Sequence, residues 1–159
     1  ESGLLLGLSY KLIDHYLGLP DPGWTSLWQD WYAKRLEGGR KALAAAQAKP
    51  ARSGPSLPLE RYAGRYRDPW YGDVVVSGAG KDLAIDFTST PDMRGRLKHW
   101  QYDSFVTVFD DRALEPAYVT FQLDADGKVT GVTMKAVNPI VDFSWDYQDL
   151  ELKPVAGGK

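Results

Sequence analysis

The hydrophobic pattern changes period near residue 59, and that change restricts the chain to a mostly β body preceded by a helical segment. From Leu59 onward apolar and polar residues alternate. In LAIDF, Leu83, Ile85 and Phe87 share one face, with Ala84 and Asp86 on the other. In AYVTFQLD, Ala117, Val119, Phe121 and Leu123 oppose Tyr118, Thr120 and Gln122. Successive side chains of a strand point to opposite sides, so runs of this kind are strands with one buried face. Eight strands are expected, at 64–68, 72–77, 82–88, 96–100, 104–109, 117–123, 129–136 and 143–152. The stretches SGAGKD, STPDMRG, FDDRALEP, DADGK and VNPIVD separate them, and Gly127 in DADGK can supply positive φ for a tight hairpin. Short connections between sequential strands predict an antiparallel up-and-down meander. Closure into a barrel removes exposed edges and is preferred to an open sheet, with a β-sandwich as the alternative. The last strand changes phase, from Phe143, Trp145 and Tyr147 to Leu150 and Leu152, which predicts a bulge.

Residues 1 to about 49 carry a helical period instead. Leu4, Leu5, Leu8, Leu12, Tyr16 and Leu19 recur at helical spacing, and Gly18, Pro20 and Pro22 stop the run. Thr25 or Ser26 is the expected cap of a second helix. Its stripe of Leu27, Trp28, Trp31, Tyr32 and Leu36 requires a partner surface, and Gly38–Gly39 is expected to weaken or break it. The stretch Lys49–Pro58, rich in Pro, Ser and Gly, has linker composition. The domain reading is therefore residues 1–56 as a helical segment with its linker and 57–159 as the barrel.

Composition excludes several functions. With 43% apolar and 13% aromatic residues among 159, the chain can pack a core. A net charge of −2 gives no global field toward nucleic acid. Cysteine is absent, which removes disulfides, thiolate nucleophiles and cysteine-type zinc sites. Lys11, Asp14 and His15 interrupt the apolar opening too early for a membrane span, and it lacks the basic start and small-residue cleavage site of a signal peptide.

The chemistry-bearing motifs are few. No serine is followed by lysine at S-x-x-K spacing, and no G-x-S-x-G elbow presents a nucleophile. The two histidines, His15 and His99, lie on separate segments, with no H-E-x-x-H. Asp124, Asp126 and Gly127 read as a hairpin turn and not a calcium loop. SGAGK lies between strands, so it is a hairpin and not a phosphate loop. The densest polar stretch is LKHWQYDSF, residues 97–105, where Leu97 and His99 face one way, Lys98 and Trp100 the other, and Tyr102–Asp103–Ser104 turns. The candidate ligand-binding residues are Tyr66, Trp70 and Tyr71 from RYRDPWYGD, with His99, Trp100 and Asp103 from LKHWQYDSF. No catalytic residue, metal ligand or cofactor is expected.

The segments LERYAGRYRDPWYGDVVV, KDLAIDF, LKHWQYDSFVTVF and AYVTFQLDADGKVTGV together resemble a small domain found after the catalytic domain of many bacterial serine β-lactamase-like, penicillin-binding-protein-like hydrolases. The resemblance covers about residues 57–153, and upstream LSYKLIDHYLGLPDPGW looks like the last helix of such a catalytic domain. It implies a lipocalin-like barrel, a non-catalytic accessory role in substrate recognition or in shielding the cleft, the preceding catalytic domain as partner, and a periplasmic or secreted location. The catalytic motifs of those hydrolases have no match here, so no catalytic residue carries over. Two other readings stand beside it: a module binding a small ligand, and a structural or oligomerisation device built on the aromatic helix.

Overall fold

In the computed structural model, residues 3–48, 54–139, 141 and 145–156 are described, 46–48 by their helical backbone alone. The chain divides into two compact units, Glu1–Ala44 and Ala45–Lys159.

The first unit is built on two helices, α1 (Gly3–Leu17) and α2 (Trp24–Ala48). α1 meets α2 through its glycines and not its leucines. Gly3 and Gly7 are the buried residues of α1. A Cβ on Gly7 would lie 2.6 Å from the Cα of Thr25, and one on Gly3 would strike the Trp28 carbonyl, so only hydrogen fits there. Beside this crossing Tyr10 stacks on Trp28 at 5.8 Å, and the Trp24 indole N–H donates to Asp14 at 2.5 Å. The apolar residues that recur at helical spacing along α1 point elsewhere: Leu5 is 60% exposed, Leu12 57% and Tyr16 86%. Two local expectations are corrected. Neither Thr25 nor Ser26 caps α2, because Asp21 Oδ1 accepts the Gly23 and Trp24 N–H groups one turn earlier (2.8 and 3.2 Å). The helix also runs unbroken through Gly38–Gly39, since a propensity cost of about 1 kcal/mol per glycine does not end a 25-residue helix.

The second unit is an eight-stranded antiparallel barrel in simple sequential order: β1 (Gly64–Asp68), β2 (Gly72–Ala79), β3 (Asp82–Phe87), β4 (Arg94–Gln101), β5 (Ser104–Phe109), β6 (Ala117–Leu123), β7 (Val129–Ala136) and β8 (Glu151–Pro154). β8 closes it against β1 at Tyr66↔Pro154 and Arg67↔Lys153. Inward positions alternate as the sequence requires. Val74, Val76, Leu83, Ile85, Phe87, Leu97, Phe105, Val119, Phe121, Val132 and Met134 are all buried in one cluster. Fully burying an aliphatic or aromatic side chain contributes roughly 1.5–3 kcal/mol, so this cluster dominates the stability of the unit. Asp68 and Thr107 are the buried polar residues among those described, and the Thr107 hydroxyl accepts the Ala117 N–H at 2.8 Å where β5 and β6 diverge.

Strands β1, β5, β6 and β7 match their expected limits, β2 runs two residues further at its end, β3 stops one residue earlier, and β4 is longer at both ends. The final strand is corrected. Residues 143 and 144 of the expected 143–152 strand lie outside the described residues. Tyr147–Asp149 forms a 3₁₀ turn, and the strand is Glu151–Pro154. The phase change there is therefore a turn and not a bulge. Bulges occur instead in β4, where Trp100 is the extra residue between His99 and Gln101, and in β7, where Thr130 is the extra residue opposite Gln122 and Leu123. DADGK and SGAGK are both hairpins; Asp124 Oδ1 accepts the N–H groups of Asp126 and Lys128, and Gly127 takes φ +71°, a conformation that glycine adopts without a Cβ clash.

The two ends of the barrel differ. One end gathers the β2–β3, β4–β5 and β6–β7 turns with the entering segment 54–63, and a 3₁₀ turn at Leu59–Arg61 lies across it. The other end, the mouth, gathers the β1–β2 and β3–β4 turns, the β5–β6 connection and the segment before β8.

Candidate functional site

The six candidate residues do not form one site. His99, Trp100 and Asp103 belong to the closed end, Trp70 and Tyr71 to the mouth, and Tyr66 to the interior between them.

At the closed end the polar letters of LKHWQYDSF are a clamp. Asp103 sits in a two-residue turn between β4 and β5, entered by Tyr102 at φ +49°. Its carboxylate accepts the Ser56 N–H (3.0 Å), the Ser56 hydroxyl (2.8 Å) and the Tyr62 hydroxyl. The same Tyr62 hydroxyl accepts the Leu57 N–H at 3.0 Å. Tyr62 is fully buried, edge-on to Phe105 and Phe121, so its ring plugs the barrel and its hydroxyl ties the plug to the turn. Burial, with the Asp103 charge beside it, pushes the Tyr62 hydroxyl up to about 12. For Asp103, burial alone raises the pKa, but the hydrogen bonds from Tyr62 and Ser56 outweigh it and hold the carboxyl below its ordinary value.

His99 does not hydrogen bond to Asp103. Its Nε2–H donates to the Tyr102 carbonyl at 2.9 Å, and its ring lies edge-on to Phe105. Serine, histidine and aspartate are thus neighbours in the wrong order for a charge-relay site. A triad needs the imidazole between hydroxyl and carboxylate. Here the Ser56 hydroxyl binds the carboxylate directly, and Nε2 is committed to a carbonyl. Trp100, the extra residue of the β4 bulge, keeps the outer side that alternation gives it, with its ring against Tyr118 at 5.7 Å.

Tyr66 is an inward core residue whose hydroxyl donates to the Tyr62 carbonyl at 2.7 Å, and burial lifts its pKa to about 12. On the outer face of β1, Arg67 forks onto Asp73 (2.5 and 3.0 Å) and Arg65 reaches the same carboxylate at 3.2 Å.

At the mouth, Tyr71 stands over a cup of about 260 Å³ floored by Phe87 and Leu150 and walled by Met93, Leu114, Trp145 and Tyr147. The Tyr147 hydroxyl donates to the Glu115 carbonyl at 2.8 Å, and burial raises its pKa. The β1–β2 turn is organised by Asp68, a nearly buried carboxylate. Its Oδ1 accepts the N–H groups of Trp70 (2.8 Å) and Tyr71 (3.0 Å), and its Oδ2 accepts the Glu151 N–H (2.9 Å). Burial pushes Asp68 up, and these three donors more than reverse it, so the carboxyl is held below its ordinary range. The turn presents Trp70 almost entirely to solvent, 93% exposed.

Sequence reasoning named Trp70, Tyr71 and Asp103 but not Asp68, which holds the Trp70–Tyr71 turn, nor Ser56 and Tyr62, which hold Asp103. The available signal was an aspartate at a strand end followed by a turn, D-P-W-Y, where a carboxylate can accept the next N–H groups. Among the described residues no helix is long and apolar enough to cross a membrane, and no group of three or more metal-ligating side chains converges. No curated protein matches the chain. Residues 48–154, which take in every strand from β1 to β8, match the family model Domain of unknown function (DUF3471), and the chain belongs to that family.

Proposed function

We propose that the chain is a non-catalytic accessory piece of a serine β-lactamase-like hydrolase, with the barrel serving substrate recognition or shielding of the cleft and the helical unit forming the end of the catalytic domain. The observation that carries this reading is the apolar outer face of α1. Leu5, Leu12, Tyr16 and Leu17 are all more than half exposed, on a helix whose Lys11, Asp14 and His15 are gathered on one side. A helix of that composition belongs inside a larger body. The resemblance of the barrel segments to domains that follow such catalytic domains supports the same assignment, and with it export to the periplasm. Residues 1–159 are expected to leave nitrocefin and p-nitrophenyl esters unhydrolysed. Turnover above background that one serine substitution abolishes overturns the reading. So does a coding sequence upstream of Glu1 with no serine–lysine acylation motif.

A second reading is favoured by the cup at the mouth: the barrel holds a small apolar ligand over Phe87 and Leu150. Its volume of about 260 Å³ is near the lower limit of small-molecule sites.

A further inference from the structure

Beside the cup, and sharing Tyr71 with it, a second cavity of about 450 Å³ opens between the β1–β2 turn and the start of β8. Its walls are Pro69, Trp70 and Tyr71 on one side and Asp149 and Glu151 on the other, with Asp68 at its base. We propose that this notch binds an organic ammonium group, carried by a small amine or by a lysine side chain of a peptide. The inference goes beyond both functional readings and depends on neither.

Three observations converge on that chemistry. The cavity is concave, of ligand size, and walled by two aromatic rings, of which Trp70 is 93% exposed and Tyr71 50%. A cation over such a ring is drawn to its negative face, most strongly over tryptophan. The lining is also one-signed: it holds three carboxylates and no lysine, arginine or histidine. Asp68 spends its oxygens on three backbone N–H groups, whereas no hydrogen bond or ion pair engages the side chains of Asp149 and Glu151 among the described residues. Finally, the carboxylates do not converge as metal ligands do, since no three ligating side chains meet among the described residues. Dispersed charge around an aromatic wall suits a diffuse organic cation better than a point-like metal ion.

The test is an NMR titration of residues 1–159 with phenethylammonium, with an acetylated lysine peptide amide, and with uncharged phenethyl alcohol. Saturable shifts of the Tyr71 and Glu151 amides with either ammonium probe, and none with the alcohol, are expected, and the tighter arm distinguishes a free amine from a peptide source. Trp70→Ala, and separately the Asp149→Asn/Glu151→Gln pair, should weaken binding roughly tenfold while the melting temperature holds. Absence of saturable shifts with both ammonium probes overturns the proposal. Equal binding of the alcohol, or undiminished binding by Trp70→Ala, overturns it as well.

Discussion

Asp103 at the closed end and Asp68 at the mouth are the same device put to different ends. Each is a carboxylate at a turn, each accepts three hydrogen bonds, and each is held below its ordinary pKa despite burial. Asp103 binds a segment 47 residues away in sequence and ties a buried tyrosine into the barrel. Asp68 binds the turn that follows it and the start of β8, 83 residues on, and leaves an aromatic pair standing in solvent. One carboxylate closes the barrel and the other builds an open rim. A dense cluster of polar and aromatic residues is therefore a poor guide to function until its hydrogen bonds are accounted for.

The sharpest way to break this contrast is to remove the plug. Tyr62→Ala should cost about 3–5 kcal/mol, as for other fully buried aromatics, read by denaturant unfolding of the full chain. A loss below about 1 kcal/mol would show that the ring does not hold the closed end. Next in size are the two carboxylates. Asp68→Ala and Asp103→Ala should each cost about 2–3 kcal/mol, because each leaves donors without their acceptor. A much smaller effect at Asp103 would reduce its clamp to a surface contact and collapse the comparison.

The pH dependence should follow from the same groups. Both aspartates have folded-state pKa values below the ordinary 3.8, so the stability they add is complete above that value and is lost as pH falls through the lowered ones. Melting temperature should drop more steeply below about pH 4 in the parent than in Asp103→Asn. On the alkaline side Tyr62 and Tyr66 are raised from 10.0 to about 12, so the neutral form is favoured in the fold. That stability is whole below pH 10 and declines as pH climbs toward 12, a decline that Tyr66→Phe should lessen. The smallest effect belongs to Trp70→Ala. Its side chain is almost wholly in solvent, so the melting temperature should not move. A clear loss would mean that the mouth is as structural as the closed end.

Particular elements show why some of this could be read from the sequence. β1, β5, β6 and β7 were legible to the residue because alternation and turn chemistry are local, spanning a few neighbours at a time. β8 was not, because the apolar run 143–152 contains the Tyr147–Asp149 turn, and a turn among apolar residues leaves the strand-like letters in place. The leucines of α1 show the same limit of local pattern. Helical spacing marks an apolar face, but the contact with α2 is made at Gly3 and Gly7, where close approach and not side-chain bulk decides the crossing. For the candidate site, Trp70 and Tyr71 were legible as loop aromatics. Their separation from His99, Trp100 and Asp103 by the length of the barrel was not.

The sequence by itself determined a β body of alternating strands and its hairpins, because backbone sterics and side-chain period act within a few residues. Only the tertiary structure decided that the barrel closes through β1 and β8, that Asp103 meets Ser56 and Tyr62, and that Asp149 and Glu151 line one cavity with Trp70. Those relations join residues 41 to 83 positions apart or more, and no local pattern carries them. They follow from closure of the sheet, which sets which turns share an end and hence which charges are consumed by folding and which stay free.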